Sequence, residues 1–189
     1  MRAWLTLLAL LFAAAPLHAA VGRFVGLAEA AGRARAVVEG MVVATESADD
    51  PAWHRFVTRA TVRVERAWRG AEGKVTVLLL GGEVGERVQL VPGEAELRPG
   101  ERVLLFLEPI PGRAELRPVG MRQGVFRPVD EGGWRRDFDG LALIDPGEAT
   151  ARERLPDVLP MADLPVLLQA HPFDPSTVLP ATAPPKVAP

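Results

Sequence analysis

The sequence predicts a mainly β domain, a small barrel or sandwich of roughly five or six strands with a short helix at each end. Three observations predict it. Residues 56–68 alternate between an apolar and a charged face. Short apolar runs recur at Val37–Thr45, Val75–Leu80 and Val103–Leu107. Between them the chain is punctuated by Pro92-Gly93, Pro99-Gly100 and Pro111-Gly112, which favour turns over continued helix or strand.

The chain opens with Met1-Arg2, a short positive start, followed by a run from Ala3 to Ala15 that is apolar except for Thr6. Pro16 breaks it, and Leu17-His18-Ala19-Ala20 offers small residues to a peptidase. This is the order of a secretory signal peptide. The apolar run is about 13 residues, short of the roughly 20 that a spanning helix needs. We therefore expect a signal peptide over residues 1–19, cleavage after Ala19, and a periplasmic or secreted mature form without a transmembrane segment.

Phe24 to Ala36 carries Phe24, Leu27, Ala28, Ala31 and Ala34 at helical spacing and predicts a short amphipathic helix. Val37–Thr45 reads as the first strand, and Gly40 inside it marks a bulge or a close backbone approach. Glu46–His54 reads as a polar loop. Then Phe56, Thr58, Ala60, Val62 and Val64 line one face of a half-buried strand, with Arg59, Arg63 and Glu65 on the other. Val75–Leu80 is apolar on both faces, which suits a central strand.

Gly81–Gly85 reads as a turn or bulge, Arg87–Val91 as a resumed strand and Val103–Leu107 as a buried one. Glu115–Val125 reads as a strand interrupted at Gly120 and Gly124. Val125–Val129 and Trp134–Phe138 pair as a hairpin across residues 130–133. The β domain is expected over residues 20–145, with a C-terminal extension over 146–170 that includes a helix at Met161–Ala170. Residues 171–189 hold six prolines and read as a flexible tail.

Composition narrows the function. With no cysteine, the chain has no disulfide framework, thiolate zinc site or cysteine nucleophile. The net charge of −2 falls near −3 once Arg2 leaves with the leader, and tyrosine is absent. A single-stranded nucleic-acid site combines a basic groove with stacking aromatics, so nucleic acid is not an expected partner. Gly81-Gly82-Glu83-Val84-Gly85 is not followed by Gly-Lys-Ser/Thr, and no phosphate loop results. Ser47 has His54 in its loop but no nucleophile elbow around it. Asp49, Asp50 and His54 offer oxygen and nitrogen ligands, but three groups on one polar loop are poorly preorganised for a metal. Asp137-Phe138-Asp139-Gly140 resembles only the start of a calcium loop, without its closing glutamate. No catalytic residue, metal site or cofactor is assigned.

What stands out instead is Trp53 and His54 in a polar loop, Arg59 and Arg63 on a charged strand face, and Trp134-Arg135 after a hairpin turn. Exposed Trp and Arg anchor interfaces. The competing reading is that each tryptophan folds back over its end of the domain.

The succession Val38-Glu39-Gly40-Met41-Val42, Thr61–Gly70, Val75-Thr76-Val77, Gly81-Gly82 and Gly100–Leu107 resembles netrin-like domains, the family that includes tissue inhibitors of metalloproteinases. That resemblance, over roughly residues 24–140, implies an OB-type five-stranded barrel. The chain is also similar to uncharacterised exported bacterial proteins that share V-E-x-x-W-R-G, G-E-x-V-L-L-F-L and V-G-x-x-Q-G-x-F patterns, the last at Val119–Phe126. Netrin-like inhibitors chelate zinc through an N-terminal cysteine; this chain would begin at Ala20 or Val21, so that wedge is not carried over. The expected function is an exported, non-catalytic binding module whose partner is an exported protein or cell-envelope component. The alternatives are a metal-dependent hydrolase using the 46–54 loop and an inert envelope structural protein.

Overall fold

The structure, a computed structural model, describes residues 20–130, 132–138, 141–144 and 158–177. The expected signal peptide therefore lies outside the described residues. The chain is mainly β, with a large sheet and two helices. In order the elements are β1 (Ala20–Arg23), α1 (Leu27–Arg33), β2 (Ala36–Asp50), β3 (Arg55–Arg69), β4 (Lys74–Leu80), β5 (Gly82–Val84), β6 (Arg87–Gln89) and β7 (Arg102–Pro109). There follow β8 (Leu116–Pro118), a 3-10 turn (Met121–Gly124), β9 (Val125–Pro128), β10 (Gly133–Arg136), β11 (Leu141–Ile144), β12 (Val158–Pro160) and α2 (Asp163–Ala170). A last 3-10 turn covers Pro175–Thr177. Among the described residues no helix is long and apolar enough to cross a membrane.

The large sheet has the order β12-β10-β9-β7-β2-β3-β4-β8. β7 also pairs with β8, Leu107 opposite Pro118 and Pro109 opposite Leu116. The strands β2, β3, β4, β8 and β7 thus form a circuit of pairings, in which the β4–β8 link is parallel and rests on Val77 opposite Leu116. β5 and β6 form a separate hairpin, and β1 pairs in parallel with β11.

Two apolar layers explain the sequence patterns. The inward face of β3 (Ala60, Val62) meets Val38, Val77, Leu105 and Leu107 in one cluster. On the other side of β7 and β2, Leu104, Phe106 and Val37 join Phe126, Trp134 and the helices' Ala30, Ala31, Leu164 and Leu168. Successive residues on a strand face opposite sides, so β7 reads as an unbroken apolar run because both its faces are covered. A third cluster of Val57, Leu78 and Ile110 lies under Trp53 and Leu80, which accounts for apolar residues on both faces of β4.

Several boundaries differ from expectation. β2 runs on to Asp50, so residues 46–50 are strand and the turn is only 51–54. The β2 arm of this ribbon is polar and, before buried Asp50, exposed or half-buried, while its β3 arm buries Phe56 and Val57; Ser47 lies opposite Thr58 and Asp50 opposite Arg55. No apolar period can announce such a segment, which is why polarity suggested a loop. α1 is shorter than the helical pattern because the Val25 N–H donates to Gln123 Oε1 (2.9 Å), while Gln123 Nε2 donates to the Arg23 carbonyl (3.0 Å). A side chain nearly a hundred positions away holds residues 23–25 outside the helix. The interrupted strand at 115–125 resolves into β8, a 3-10 turn and the start of β9. The β9–β10 hairpin matches expectation, with Arg135 opposite Arg127. At the end of α2, the Asp174 N–H donates to the Gly32 carbonyl (2.8 Å).

Gly40 does what its position suggested. The β2–β3 register shifts between Glu39 and Gly40, and a Cβ there would lie 2.3 Å from the Arg63 carbonyl oxygen. The W-R-G pattern is structural as well. Trp68 packs on the helix-covered cluster. Arg69 Nη1 donates to the carbonyls of Ala31 (2.5 Å) and Ala34 (3.0 Å), and its Nη2 donates to those of Leu168 (2.7 Å) and His171 (2.8 Å). One guanidinium thus closes the C-terminal ends of both helices, where unpaired carbonyls concentrate negative charge. Gly70 has φ +80°, and a Cβ there would lie 2.6 Å from the Arg35 carbonyl oxygen.

Candidate binding surfaces

The residues singled out from sequence separate into two places. At the β2–β3 turn, buried Asp50 organises the end of the ribbon. Its Oδ1 accepts from Arg113 Nη2 (2.8 Å) and from the Ala52 and Trp53 N–H groups (both 3.1 Å). The Arg113 hydrogen bond is the main reason its carboxyl is held below the usual range, outweighing burial. Arg59 approaches Asp50 Oδ2 at 3.5 Å and donates through Nε to Glu115 Oε1 (3.0 Å). The Arg113 guanidinium stands 4.2 Å above the Trp53 ring, a cation–π geometry. Trp53 is half-buried by this stack, and His54 is exposed with φ 50° at the turn. Arg63 lies further along β3, exposed, with Glu65 at 3.8 Å.

The β5–β6 hairpin is tied to the same end. Gln89 Oε1 accepts the Phe56 N–H (2.7 Å), and the Arg87 guanidinium lies 4.9 Å over the Phe56 ring. From this hairpin and its exit, Val88 is 61% and Leu90 85% exposed.

This end is occupied by structural pairing. Asp50 is committed to Arg113 and two backbone donors, so it is not available to a metal beside Asp49 and His54. Among the described residues no group of three His, Cys, Asp or Glu could hold a metal ion. Ser47 Oγ is hydrogen-bonded to Thr58 Oγ1 (2.9 Å), roughly 10 Å down the ladder from the turn that carries His54.

Trp134 and Arg135 lie on β10, in the second place. Trp134 is 3% exposed and belongs to the core, while Arg135 points the other way and is exposed. Beside β9 and β10 runs a cleft of about 430 Å³, lined by Glu96, Arg98, Glu101, Arg122, Arg127, Arg135, Arg136, Asp137 and Phe138 among others. Arg98 pairs with Glu96 (2.9 Å). Arg127 pairs with Asp137 (2.5 Å) and Glu101 (3.4 Å), and Arg122 faces Asp137 (3.6 Å). Arg136 is 5% exposed and donates through Nε to the Gln123 carbonyl (2.5 Å). Its guanidinium lies between the rings of Phe138 (5.3 Å), Phe126 (5.5 Å) and Phe24 (5.8 Å). Burial pushes its pKa down to about 10, so it remains charged at neutral pH. Sequence reading missed this cleft because its arginines lie on the 96–101 loop, the 3-10 turn, β9 and β10, and only the fold gathers them.

Glu94 adjoins the cleft through its own carbonyl, which accepts from Arg122 Nη2 (3.1 Å). Its carboxyl accepts the Leu80 N–H (3.0 Å) and the Ala95 N–H (2.9 Å), bracing the end of β4 against the loop. Burial raises its pKa from 4.5 to about 7 despite those bonds and nearby Arg117 and Arg122. The folded state therefore holds the proton that the unfolded chain releases first. The stabilising contribution is complete below about pH 4.5 and is lost as pH rises to about 7. Unfolding free energy should fall by about 3 kcal/mol across that window from this group alone. Urea titrations at pH 4.5, 6 and 7.5 check it, with a flattened dependence expected in Glu94→Gln.

A scan of protein-family models found none that matches the chain, and a search of curated proteins found no match.

Proposed function

We propose that this chain is an exported, non-catalytic binding module on a netrin-like, OB-type barrel. Its partner would be an exported protein or cell-envelope component held at the barrel end formed by the β2–β3 turn and the β5–β6 hairpin. The circuit β2-β3-β4-β8-β7, with its one parallel link, supports the barrel reading. The sequence of residues 1–19 supports export.

The observation that carries the proposal is the pair Val88 and Leu90, apolar and open to solvent on a hairpin tied to Phe56, three residues along the chain from the Trp53 that stacks on Arg113. Exposed large apolar side chains at the same end as a Trp/Arg stack, with polar His54 and Arg87 there too, match the composition of a contact surface. The stack is preorganised by the Asp50 carboxylate, so little ordering is needed on binding.

The test is affinity capture with the mature, tagged chain from envelope extracts. A recurrent partner retained by the wild type and lost on Leu90→Asp and on Trp53→Ala is the expected result. Capture of background proteins alone, or of a partner indifferent to both changes, would remove the proposal. Circular dichroism of Leu90→Asp serves as the folding control, since an exposed side chain contributes little to the core.

A further inference from the structure

Among the described residues, the cleft beside β9 and β10 is lined by five arginines and three carboxylates. Glu96 is matched by Arg98, Glu101 and Asp137 by Arg127, and Asp137 also by Arg122. Arg135 and Arg136 make no ion pair among the described residues, although both line the cleft. Arg136 is nearly fully buried, and its Nη2 finds no hydrogen-bond partner among the described residues. Among the described residues, this buried guanidinium surrounded by three phenylalanine rings has lost its water without gaining an ion pair, and the more distant charge of Glu29 offsets only part of that loss. Such a group is costly unless something outside the chain completes it. The adjoining space is large enough for several water molecules or one small ligand.

We propose that this cleft binds a small dianionic oxyanion, with Arg136 and Arg135, neither in an ion pair among the described residues, supplying positive charge. Guanidinium N–H groups are disposed to hold paired oxygens, and the Phe cage fixes the Arg136 plane. Arg98, Arg122 and Arg127, already braced by carboxylates, set the width of the opening. The site lies apart from the β2–β3 turn and does not depend on the protein-binding proposal.

The probes are inorganic phosphate, succinate and chloride, titrated at constant ionic strength into the full mature chain. Binding is read from the Nε–Hε signals of the arginines and from thermal midpoint. The expected result is a saturable shift of the Arg136 and Arg135 signals with phosphate or succinate but not with chloride. Whichever of the two saturates at lower concentration identifies the tetrahedral or the carboxylate form. Arg135→Ala, on an exposed side chain, should weaken the binding by at least about tenfold. Arg136→Met, whose side chain suits the Phe cage, should abolish it. If Arg136→Met does not fold, Arg135→Ala and the Arg136 signal decide alone. No saturable shift, an equal response to chloride, or binding unchanged in Arg135→Ala would overturn the proposal, and none of these outcomes bears on Leu90→Asp capture.

Discussion

Replacing Glu108 with alanine is expected to lower the unfolding free energy by about 3–5 kcal/mol. The carboxylate is 1% exposed on β7, between two guanidiniums. Its Oε2 accepts from Arg33 Nε (3.0 Å) and Nη2 (2.7 Å), and its Oε1 accepts from Arg117 Nε (2.8 Å). Arg33 is buried and belongs to α1, and Arg117 belongs to β8, so this one anion joins helix, central strand and the strand that links to β4. Removing it leaves a buried positive charge on Arg33, for which Glu29 (3.1 Å) is the remaining partner. The penalty comes from that abandoned charge, not from the worth of the pairs themselves. The double change Arg33→Met with Glu108→Leu should accordingly recover much of the loss, because an apolar pair abandons nothing. Urea unfolding of the three variants measures this. A Glu108→Ala loss under about 1 kcal/mol would contradict the account.

Arg69→Ala is expected to release the two helices from the sheet, at about 3 kcal/mol. Four carbonyls share this guanidinium, two from the end of α1 and two from the end of α2. Without it those oxygens remain at helix ends that pack on the Phe106–Phe126 layer. Arg69→Lys should recover only part of the loss, since one ammonium lacks the fork that spans both ends. Hydrogen exchange gives the discriminating readout: amides of α1 and α2 should lose protection while those of β2 and β7 keep theirs. Uniform loss across the sheet would instead mean that Arg69 acts on the whole fold.

Both predictions rest on residues that the sequence displays openly but whose partners it conceals. The alternation at Phe56–Val64, the apolar runs of β4 and β7, and the turn signals were legible because each is local: a strand face repeats every second residue. Gly40 announced its bulge for the same reason, since only a missing side chain lets the Arg63 carbonyl approach so closely. The strand at 46–50 was not legible, because its polar residues, exposed or half-buried up to Asp50, carry no apolar period even though its partner buries Phe56 and Val57. Trp134 looked like an anchor from its neighbours Arg135 and Arg136, yet it faces the core; strand alternation sends those neighbours to different environments.

By itself, then, the sequence determined the long core strands and which of their residues can be inside, because hydrophobic periodicity is written along the chain. Only the tertiary structure decided what the charged residues do. Arg33, Glu108 and Arg117 form one buried network, Arg69 closes two helices, and Arg135 and Arg136 are left facing a cleft. Electrostatic partners are chosen by distance in space, and that distance is set by sheet order and strand register, which no local pattern encodes.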